Sequence, residues 1–492
     1  MKKRTIVATI LILTLLVSAL TLVACGDRDT PPEEQVSFVK TDGAKIIDEN
    51  GNAIGLYGTN LGGWLVQESW LVQESWLVPT DIGKEYGQID MMIELANRFG
   101  EDGMQELLDV YENNWVTELD FQRIKELGMN CVRIPFTYLN FTNPVKKVGD
   151  TYERTPYEEL KVDESKFARL DWAIEMCKKY SLYAILDMHG AVGSQSGNDH
   201  TGDIAYPDGG RLWGEDETGE ICRLKTMEIW VAIANRYKNN NTVAVYDLMN
   251  EPGIKNESGT QTTTPRTHEY FDTLYKAIRE VDKNHIICME SCWTFANLPK
   301  PDKYGWENVI YQYHHYNWAS AGVANSTYYG IQITTNNLST KEYRVPVLIG
   351  EFNVWADSHP DKVNATHKES SQTEEDAWAG VMELYCGLGW NFTTWNFKHA
   401  AERSSWGLFN YDNNVERMWE QANYKTMTKD EIATIWARHN SSNYLVNTSL
   451  TNCITPYLAS FNTNGNDNRS YSEIKASKNY YILTGKKSSQ EE

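Results

Sequence analysis

The stretch VAVYDLMNEP, residues 243–252, is an apolar run that ends in the polar residues Asn250 and Glu251. A short apolar run of this kind is typical of a strand that is buried on both faces. The stretch VPVLIGEF, residues 345–352, has the same pattern and carries Glu351 near its end. Strands buried on both faces occur in parallel sheets covered by helices, so these two stretches favour an α/β fold.

Further apolar runs bring the total to eight, at residues 56–58, 129–136, 183–190, 243–252, 285–290, 309–315, 345–352 and 389–397. A hairpin with its turn at Asn50 and Gly51 precedes the first run. Helical patterns lie between the runs. The clearest, TELDFQRIKELG at residues 117–128, has Thr117 and Asp120 at capping-box spacing. Eight buried strands alternating with helices predict a (β/α)8 TIM barrel with long loop insertions rather than an open doubly wound sheet.

The N-terminus has the anatomy of an export signal, because basic residues at positions 2–4 precede a long apolar run that ends in LVAC, residues 22–25. This ending resembles the lipobox of bacterial lipoproteins, in which the cysteine, here Cys25, is lipidated. The alternative is an uncleaved transmembrane anchor, since the run is nearly long enough to span a bilayer. In both cases the rest of the chain is expected outside the cytoplasm, anchored to the membrane at the bacterial cell surface.

The predicted organisation has four parts. They are a signal peptide over residues 1–24, a tether over 25–37, a barrel domain over 38–459 and a polar tail of unassigned role over 460–492.

The charge of the chain limits its partners. With 46 Lys and Arg against 67 Asp and Glu, the formal net charge is -21. Nucleic acid is therefore not an expected partner, because polyphosphate binding needs clustered Lys and Arg. Seven cysteines remain besides Cys25, an odd number, and most lie within apolar runs where a thiol behaves as a small hydrophobic group. No essential disulfide framework is predicted.

In a (β/α)8 barrel the active site is assembled from the carboxyl ends of the strands. Glu251 and Glu351 stand at such ends, beside an apolar core that is expected to raise a carboxyl pKa. One strand-end glutamate could equally cap a helix or pair with a basic side chain, but two across one mouth favour catalysis. Paired carboxylates are what glycoside hydrolysis requires, one to protonate the leaving oxygen and one to attack the sugar or activate water. The other polar residues that end the runs are Arg133, His189, Asn250, His314, Tyr316 and Trp395.

Arg133 lies inside an apolar run, where an unpaired guanidinium is costly, and Glu351 is its expected partner. His314 and His315 are adjacent on one strand and so point to opposite faces, which prevents them from binding one metal ion together. The sequence has no HExxH, no zinc-type spacing of Cys or His, and no GxGxxG after the first run. No catalytic metal and no other cofactor are expected. Trp395 is either core packing or a platform under a sugar ring.

Seven motifs in order give the chain a specific resemblance to glycoside hydrolase family 5 over about residues 45–406. They are NLGGW (60–64), TELDFQRIKELGMNCVRIP (117–135), DMHGAVGSQSGNDHTG (187–202), NEP (250–252), HHY (314–316), GEF (350–352) and TWNFK (394–398). The resemblance implies a retaining double displacement in which Glu251 is the general acid/base and Glu351 is the nucleophile. The two carboxyl groups are then expected roughly 5–5.5 Å apart.

The resemblance also implies roles for the neighbouring positions. Arg133 and Tyr316 are expected to hold Glu351, and Asn250 to bind the sugar 2-hydroxyl. The subsite around the acid/base is expected to be lined by His189 and His314, with Trp395 as its floor.

Within the family, NLGGW, the GSQSG loop and the doubled histidine are most similar to the exo-β-1,3-glucanase branch, whose pockets hold a terminal glucose. The expected partner is therefore a β-linked glucan or oligosaccharide, cleaved as by an exo-β-1,3-glucanase or β-glucosidase. Fungal members of this branch have an aromatic residue at the position of Asn198 and small residues at 353–355, where this chain has Asn-Val-Trp. An endo-β-1,4-glucanase or a β-mannanase stays an alternative. A non-catalytic, polysaccharide-binding surface lipoprotein is a further alternative, but it predicts loss of Glu251 or Glu351, and both are present.

The segment LVQESWLVQESW, residues 65–76, contains one hexapeptide twice. Family members of the exo-glucanase type have a single glutamate here that contacts the sugar, so Glu68 and Glu74 compete for one position. The first strand fixes Trp64 close to Glu68, whereas the following long loop can absorb the extra residues. Glu68 is therefore predicted to enter the pocket. The copy at 71–76 is predicted to bulge outward, with Trp70 or Trp76 on the pocket rim.

Overall fold

The computed structural model describes residues 36–72, 87–205, 210–255, 261–316, 334–354, 374–402 and 404–464. The predicted signal peptide, the lipidation site Cys25, the residues Glu74 and Trp76, and most of the predicted tail lie outside these ranges. Among the described residues, no helix combines the length and the apolar character that crossing a bilayer demands.

Eight parallel strands form a closed barrel in which the last strand pairs with the first. The strands are β1 (Tyr57–Asn60), β2 (Cys131–Thr137), β3 (Tyr183–Gly190), β4 (Val243–Asp247), β5 (Ile286–Glu290), β6 (Val309–Tyr316), β7 (Val347–Asn353) and β8 (Asn391–Thr394). Each strand overlaps one of the predicted apolar runs, and every neighbouring pair is parallel. The predicted (β/α)8 barrel is confirmed.

The N-terminal hairpin fills one end of the barrel. Strands Lys40–Asp42, Lys45–Ile47 and Ala53–Ile54 form a small antiparallel sheet. Ile46 of this sheet belongs to one buried cluster with Cys131 and Ile286, which lie at the amino ends of β2 and β5. Because apolar side chains occupy the amino end, the polar residues of the barrel gather at the carboxyl end.

The α-helices of more than one turn are α1 (Gln88–Trp115), α2 (Glu118–Glu126), α3 (Ala168–Lys179), α4 (Glu217–Tyr237), α5 (Pro265–Val281), α6 (Glu374–Leu388), α7 (Lys429–Ala437) and α8 (Thr448–Asn464). A single-turn helix covers Ser69–Val72. The predicted capping box of α2 is present, since the Asp120 carboxylate accepts a hydrogen bond from the Thr117 backbone N–H at 2.7 Å. The α2 helix ends just before Gly128, whose φ of +87° is in the left-handed region.

Two connections differ from the predicted alternation. The α1 helix is absent from the sequence prediction because Gly100 and Gly103 interrupt its apolar pattern, and Gly100 adopts a φ of +77° at a kink. In the connection from β5 to β6, which is described throughout, the chain forms 3-10 turns rather than an α-helix. Pro299 and Pro301 explain this difference, because proline lacks the N–H group that a helix interior needs.

The long loops carry small sheets of their own, as expected for loop insertions. Val145–Val148 pairs with Thr151–Arg154, and Ile254–Lys255 pairs with Gln261–Thr262. After β8, the strands Lys398–His399, Phe409–Tyr411 and Tyr444–Val446 form a third small sheet.

Candidate active site

Glu251 and Glu351 meet at the carboxyl end of the barrel. Glu351 lies within β7, and Glu251 follows the end of β4. Glu251 has a φ of +42°, a left-handed backbone that costs a non-glycine residue about 1–3 kcal/mol and is found mainly at functional sites. An oxygen of each carboxylate and a ring nitrogen of His314 all lie within 4.8 Å of one another. The two carboxylates are therefore close enough to act on one bond.

The guanidinium of Arg133 is completely buried and organises this end of the barrel. It donates to Oε1 of Glu351 at 3.0 Å, the contact predicted from the sequence. It also donates to Asp247 at 2.8 Å and to Oδ1 of Asn250 at 3.0 Å, and it lies 3.0 Å from Asp187. Charge-assisted hydrogen bonds of this kind fix the orientation of both partners. Glu351 and Asn250 are thus held by one side chain.

Three buried carboxyl groups near Arg133 are absent from the predicted site: Asp187, Asp247 and Glu290. Each is a lone acidic residue inside an apolar run, in YAILDMHG, VAVYDLMN and HIICME respectively. A carboxyl group in a buried strand needs a cation or a proton. An acidic residue within such a run is therefore the signal that could have identified them.

Tyr316 and His314 of β6 complete the contacts of the two glutamates. The Tyr316 hydroxyl donates to Oε2 of Glu351 at 2.7 Å. Nδ1 of His314 lies 2.9 Å from Oε1 of Glu251 and 3.5 Å from Oε2 of Glu351, so the imidazole stands between them. His315 faces the other way, where its Nδ1 lies 3.0 Å from a tyrosine hydroxyl of α6. The predicted opposite orientation of the two histidines is confirmed.

The expectation that the apolar core raises the pKa of Glu251 is wrong. Burial does act in that direction, but the hydrogen bond and the positive charge of His314 outweigh it and lower the pKa of Glu251 to about 2. Burial lowers the pKa of His314, whereas the charges of Glu290, Glu351 and Glu251 outweigh burial and raise that pKa to about 9. At neutral pH the free site therefore holds one proton on this pair, and the proton rests on His314.

His189 and Trp395 form a flat surface beside the glutamates. Their rings are stacked, with centroids 5.4 Å apart and planes inclined by 7°. Nδ1 of His189 lies 2.7 Å from Asp187, and its Nε2 lies 4.0 Å from Oε1 of Glu351. Burial lowers the pKa of His189 well below its usual range, so this imidazole is neutral. Gly62 of the NLGGW motif makes room for the stack, because a Cβ there would lie 3.1 Å from the Trp395 ring.

Glu68 lies at the same mouth. Its side chain is nearly buried, and its Oε2 accepts a hydrogen bond from the indole N–H of Trp70 at 2.9 Å. Burial, followed by the negative charges of Asp199, Glu351 and Glu251, raises the pKa of Glu68 well above its usual range. The charges of Glu351 and Glu251 thus reach the carboxyl group of Glu68.

The first two residues of the second hexapeptide copy lie in the protein interior rather than at its surface. Leu71 and Val72 are fully buried, so the expected outward bulge is wrong for these two residues. Trp70 is 39% exposed and packs edge-on against Trp406 with ring centroids 5.1 Å apart. Glu74 lies outside the described residues.

Within the described ranges, Glu251, His314 and Glu351 form the one set of three side chains close enough to share a metal ion. The cationic guanidinium of Arg133, 3.0 Å from Glu351, opposes a divalent cation there. Each of the three side chains also has a hydrogen-bond partner within the protein. The set therefore suits the sharing of a proton better than the binding of a metal.

Comparisons with known proteins identify the family of this chain. A family model described as Cellulase (glycosyl hydrolase family 5) matches residues 96–400. A beta-xylosidase of Phanerodontia chrysosporium is 26% identical over 284 residues, covering 57% of this chain and 52% of the relative. A glucan 1,3-beta-glucosidase of Pichia angusta is 28% identical over 274 residues, covering 53% of this chain and 55% of the relative. This chain thus spans about half the length of these curated relatives.

Among solved structures, rutinosidase from Aspergillus niger matches with a TM-score of 0.49 at 15% identity, over 70% of this chain and 90% of that one. The family model extends over more than half of the chain and includes both Glu251 and Glu351. The protein therefore belongs to glycosyl hydrolase family 5.

Proposed function

We propose that the protein is a retaining glycoside hydrolase that cleaves β-glucan, with Glu251 as the general acid/base and Glu351 as the nucleophile. The observation that carries the proposal is that two carboxylates, with oxygens within 4.8 Å, have unlike partners. Arg133 and Tyr316 hold Glu351, whereas His314 shares a proton with Glu251. Retaining hydrolysis needs one carboxyl group as the nucleophile and one as the acid/base, and unlike surroundings of this kind suit these two roles.

In the first step, an oxygen of Glu351 attacks the anomeric carbon while Glu251 gives its proton to the glycosidic oxygen. The bond to the leaving sugar breaks as a glycosyl ester forms. In the second step, Glu251 takes a proton from water, the water oxygen attacks the anomeric carbon, and the ester bond to Glu351 breaks. Arg133 and Tyr316, each on one oxygen of Glu351, stabilise the negative charge that returns to the carboxylate.

Glu251 has to be protonated to act as the acid, yet in the free site the proton rests on His314. The 2.9 Å hydrogen bond between Nδ1 and Oε1 provides the route for transfer. A bound sugar displaces water from the site, and surroundings of low dielectric constant favour a neutral pair over an ion pair. Transfer along this bond yields neutral His314 and protonated Glu251.

The aromatic wall next to Glu351 supports exo action, that is, release of a terminal sugar. Trp406 packs against Tyr316 with ring centroids 5.8 Å apart and against Trp70 at 5.1 Å. Trp70 in turn donates its indole N–H to Glu68. Aromatic side chains next to Glu351 close the site on the side of the nucleophile, which favours a pocket for one terminal sugar over an open groove. We therefore propose terminal glucose of a β-1,3-glucan as the substrate, an activity named for the similar glucan 1,3-beta-glucosidase of Pichia angusta.

An endo-β-1,4-glucanase or a β-mannanase is the second candidate, and Trp293 is the observation that favours it. Trp293 follows β5 at the mouth and is 41% exposed. The carbonyl of the preceding residue, Cys292, accepts a hydrogen bond from the His314 backbone N–H at 2.7 Å, which puts this segment on the acid/base side. An exposed indole there offers a stacking surface for the leaving part of a long chain.

The experiment that separates these candidates compares laminarin, carboxymethylcellulose and mannan as substrates, with products resolved by chromatography. Free glucose as the first product from laminarin is expected. Mixed oligosaccharides from laminarin, or faster turnover of either other polymer, would favour the second candidate. The Glu351→Gln variant serves as the inactive control, and binding without turnover of any polymer by the unmodified protein would overturn the enzymatic proposal.

A further inference from the structure

His314 connects the acid/base to a second, deeper carboxyl group. Glu290 ends β5, and β5 pairs with β6, which carries His314. Oε2 of Glu290 lies 3.4 Å from Nε2 of His314, while Nδ1 of the same ring lies 2.9 Å from Oε1 of Glu251. The side chains of Glu290 and His314 are both fully buried. The imidazole thus stands between a carboxyl group at the site and one below it.

Both facing groups have an unsatisfied polar atom. Among the residues that the structure describes, Nε2 of His314 has no hydrogen-bond partner of good geometry, and Oε1 of Glu290 has none either. A buried polar atom left without a partner costs about 1–3 kcal/mol, so a contact that satisfies both atoms is favoured. A rotation of the Glu290 carboxyl group toward the ring would complete this hydrogen bond. The other oxygen of Glu290, Oε2, already accepts from the Gln312 amide at 2.8 Å.

The charges around Glu290 explain why this contact holds a proton. Glu290 faces Asp247 of β4 and Glu251, which follows β4. Its Oε2 lies 4.0 Å from the guanidinium of Arg133 of β2. Asp187 of β3 and Glu351 of β7 share the same guanidinium. Five carboxyl groups thus surround one arginine and one histidine, an excess of negative charge that protons must offset in a buried cluster. Burial raises the pKa of Glu290 well above its usual range, and the positive charge of His314 opposes this shift.

We propose that Glu290 is a positioning residue for the acid/base, which accepts a hydrogen bond from the Nε2–H of His314 and so keeps Nδ1 and its shared proton directed at Glu251. This inference rests on the proposed glycosidase function. In the free site both nitrogens of His314 carry a proton, and after Nδ1 gives its proton to Glu251 the Nε2 proton remains, so the Nε2 contact fixes the ring and its tautomer. The proton that Glu251 gives to the leaving oxygen comes from the Nδ1 contact, and water restores it in the second step, so Glu290 gains and loses none overall.

The test uses two substrates that differ in their need for an acid. Phenyl β-D-glucoside has a poor leaving group that requires protonation, whereas 2,4-dinitrophenyl β-D-glucoside does not. Glu290→Leu removes the contact to Nε2, and Glu290→Gln keeps it, because an amide can either donate or accept. We expect kcat/KM for the phenyl glucoside to fall roughly tenfold or more in Glu290→Leu, since general acid catalysis contributes about 10²–10⁴-fold. The dinitrophenyl glucoside should change far less, and Glu290→Gln should resemble the unmodified enzyme on both.

Asp282→Asn is the matched control. Oδ2 of Asp282 lies 2.6 Å from Nδ1 of His285, so the same type of buried pair stands at the amino end of the strand that Glu290 ends. This variant should not alter the ratio of the two kcat/KM values. An equal loss on both glucosides in Glu290→Leu, or no loss on either, would overturn the proposal, because a merely structural residue does not discriminate between leaving groups.

A second measurement does not depend on the substrate. The ¹⁵N chemical shifts of His314 in protein labelled at histidine report its protonation and tautomer. In the unmodified protein His314 should remain protonated up to about pH 9, and in Glu290→Leu it should titrate at lower pH. An unchanged titration contradicts the role of Glu290. If the unmodified protein cleaves neither glucoside, the proposed function fails, and the titration alone still decides whether Glu290 controls His314.

Discussion

The hydroxyl of Tyr316 donates a hydrogen bond of 2.7 Å to Oε2 of Glu351, and the other oxygen of this carboxylate accepts from Arg133 at 3.0 Å. Both oxygens of Glu351 are therefore held, from β6 on one side and from β2 on the other. Burial and the charge of Glu351 raise the pKa of Tyr316 well above its usual range, so the hydroxyl stays protonated and remains a donor. A carboxylate held in this way keeps its orientation when a sugar enters, as the proposed role of nucleophile requires.

Replacing Tyr316 by Phe should therefore slow the reaction more than it weakens binding. The change removes one of two donors to Glu351, and we expect kcat on laminarin to fall on the order of tenfold to a hundredfold with a small change in KM. Tyr183→Phe is the matched control, because the Tyr183 hydroxyl donates to the Ser37 carbonyl at the amino end of the barrel. A Tyr316→Phe enzyme with unaltered kcat would show that Arg133 alone suffices to hold Glu351.

Arg133 should matter for stability as well as for activity. It is the buried cation among several carboxyl groups, and its loss leaves them uncompensated. Arg133→Met is expected to reduce the free energy of unfolding in urea by about 3–5 kcal/mol. Arg236→Met removes a surface arginine that pairs with Asp171, and should cost about 1 kcal/mol or less. Equal small losses in the two variants would mean that protonated carboxyl groups replace the missing charge.

The sequence predicts the barrel and the two glutamates because both follow from the order of residues along single strands. Apolar runs mark β3 and β7 to within a few residues, and Glu251 and Glu351 stand where such runs end. The sequence does not predict the lowered pKa of Glu251, because this pKa depends on the imidazole of His314, which comes from another strand. The same holds for Glu290, whose contacts become visible only when the neighbouring strands are placed side by side. The α1 helix was missed for a local reason, the glycine at position 100 inside it.

The pair formed by Glu251 and His314 predicts an unusually high alkaline limit for activity. Because the negative charges around His314 raise its pKa to about 9, the pair keeps its single proton until that pH and loses it above. The profile of kcat/KM against pH, which reports the free enzyme, should therefore decline only above about pH 9. In His314→Gln, Glu251 has to retain the proton by itself, so the decline should begin at lower pH. If kcat/KM of His314→Gln declines at the same pH as that of the unmodified enzyme, a group other than His314 sets the alkaline limit.

Glu68 and Glu74 can be distinguished only by separate substitution. Deleting either hexapeptide copy yields the same polypeptide, so a deletion does not reveal which glutamate is used. Glu68 is nearly buried at the mouth, with one oxygen accepting from Trp70 and the other, Oε1, without a partner in the described part of the chain. A sugar hydroxyl is the natural donor for that oxygen, and a hydrogen bond of this kind contributes about 0.5–1.5 kcal/mol.

Glu68→Gln is therefore expected to reduce kcat/KM on laminarin roughly twofold to tenfold, chiefly through KM. Glu74→Gln, which makes the identical chemical change in the second copy, should leave kcat/KM close to that of the unmodified enzyme. Thermal unfolding of both variants shows whether either change acts through stability instead. If Glu74→Gln alone impairs turnover, the second copy supplies the sugar contact and the assignment of Glu68 is wrong.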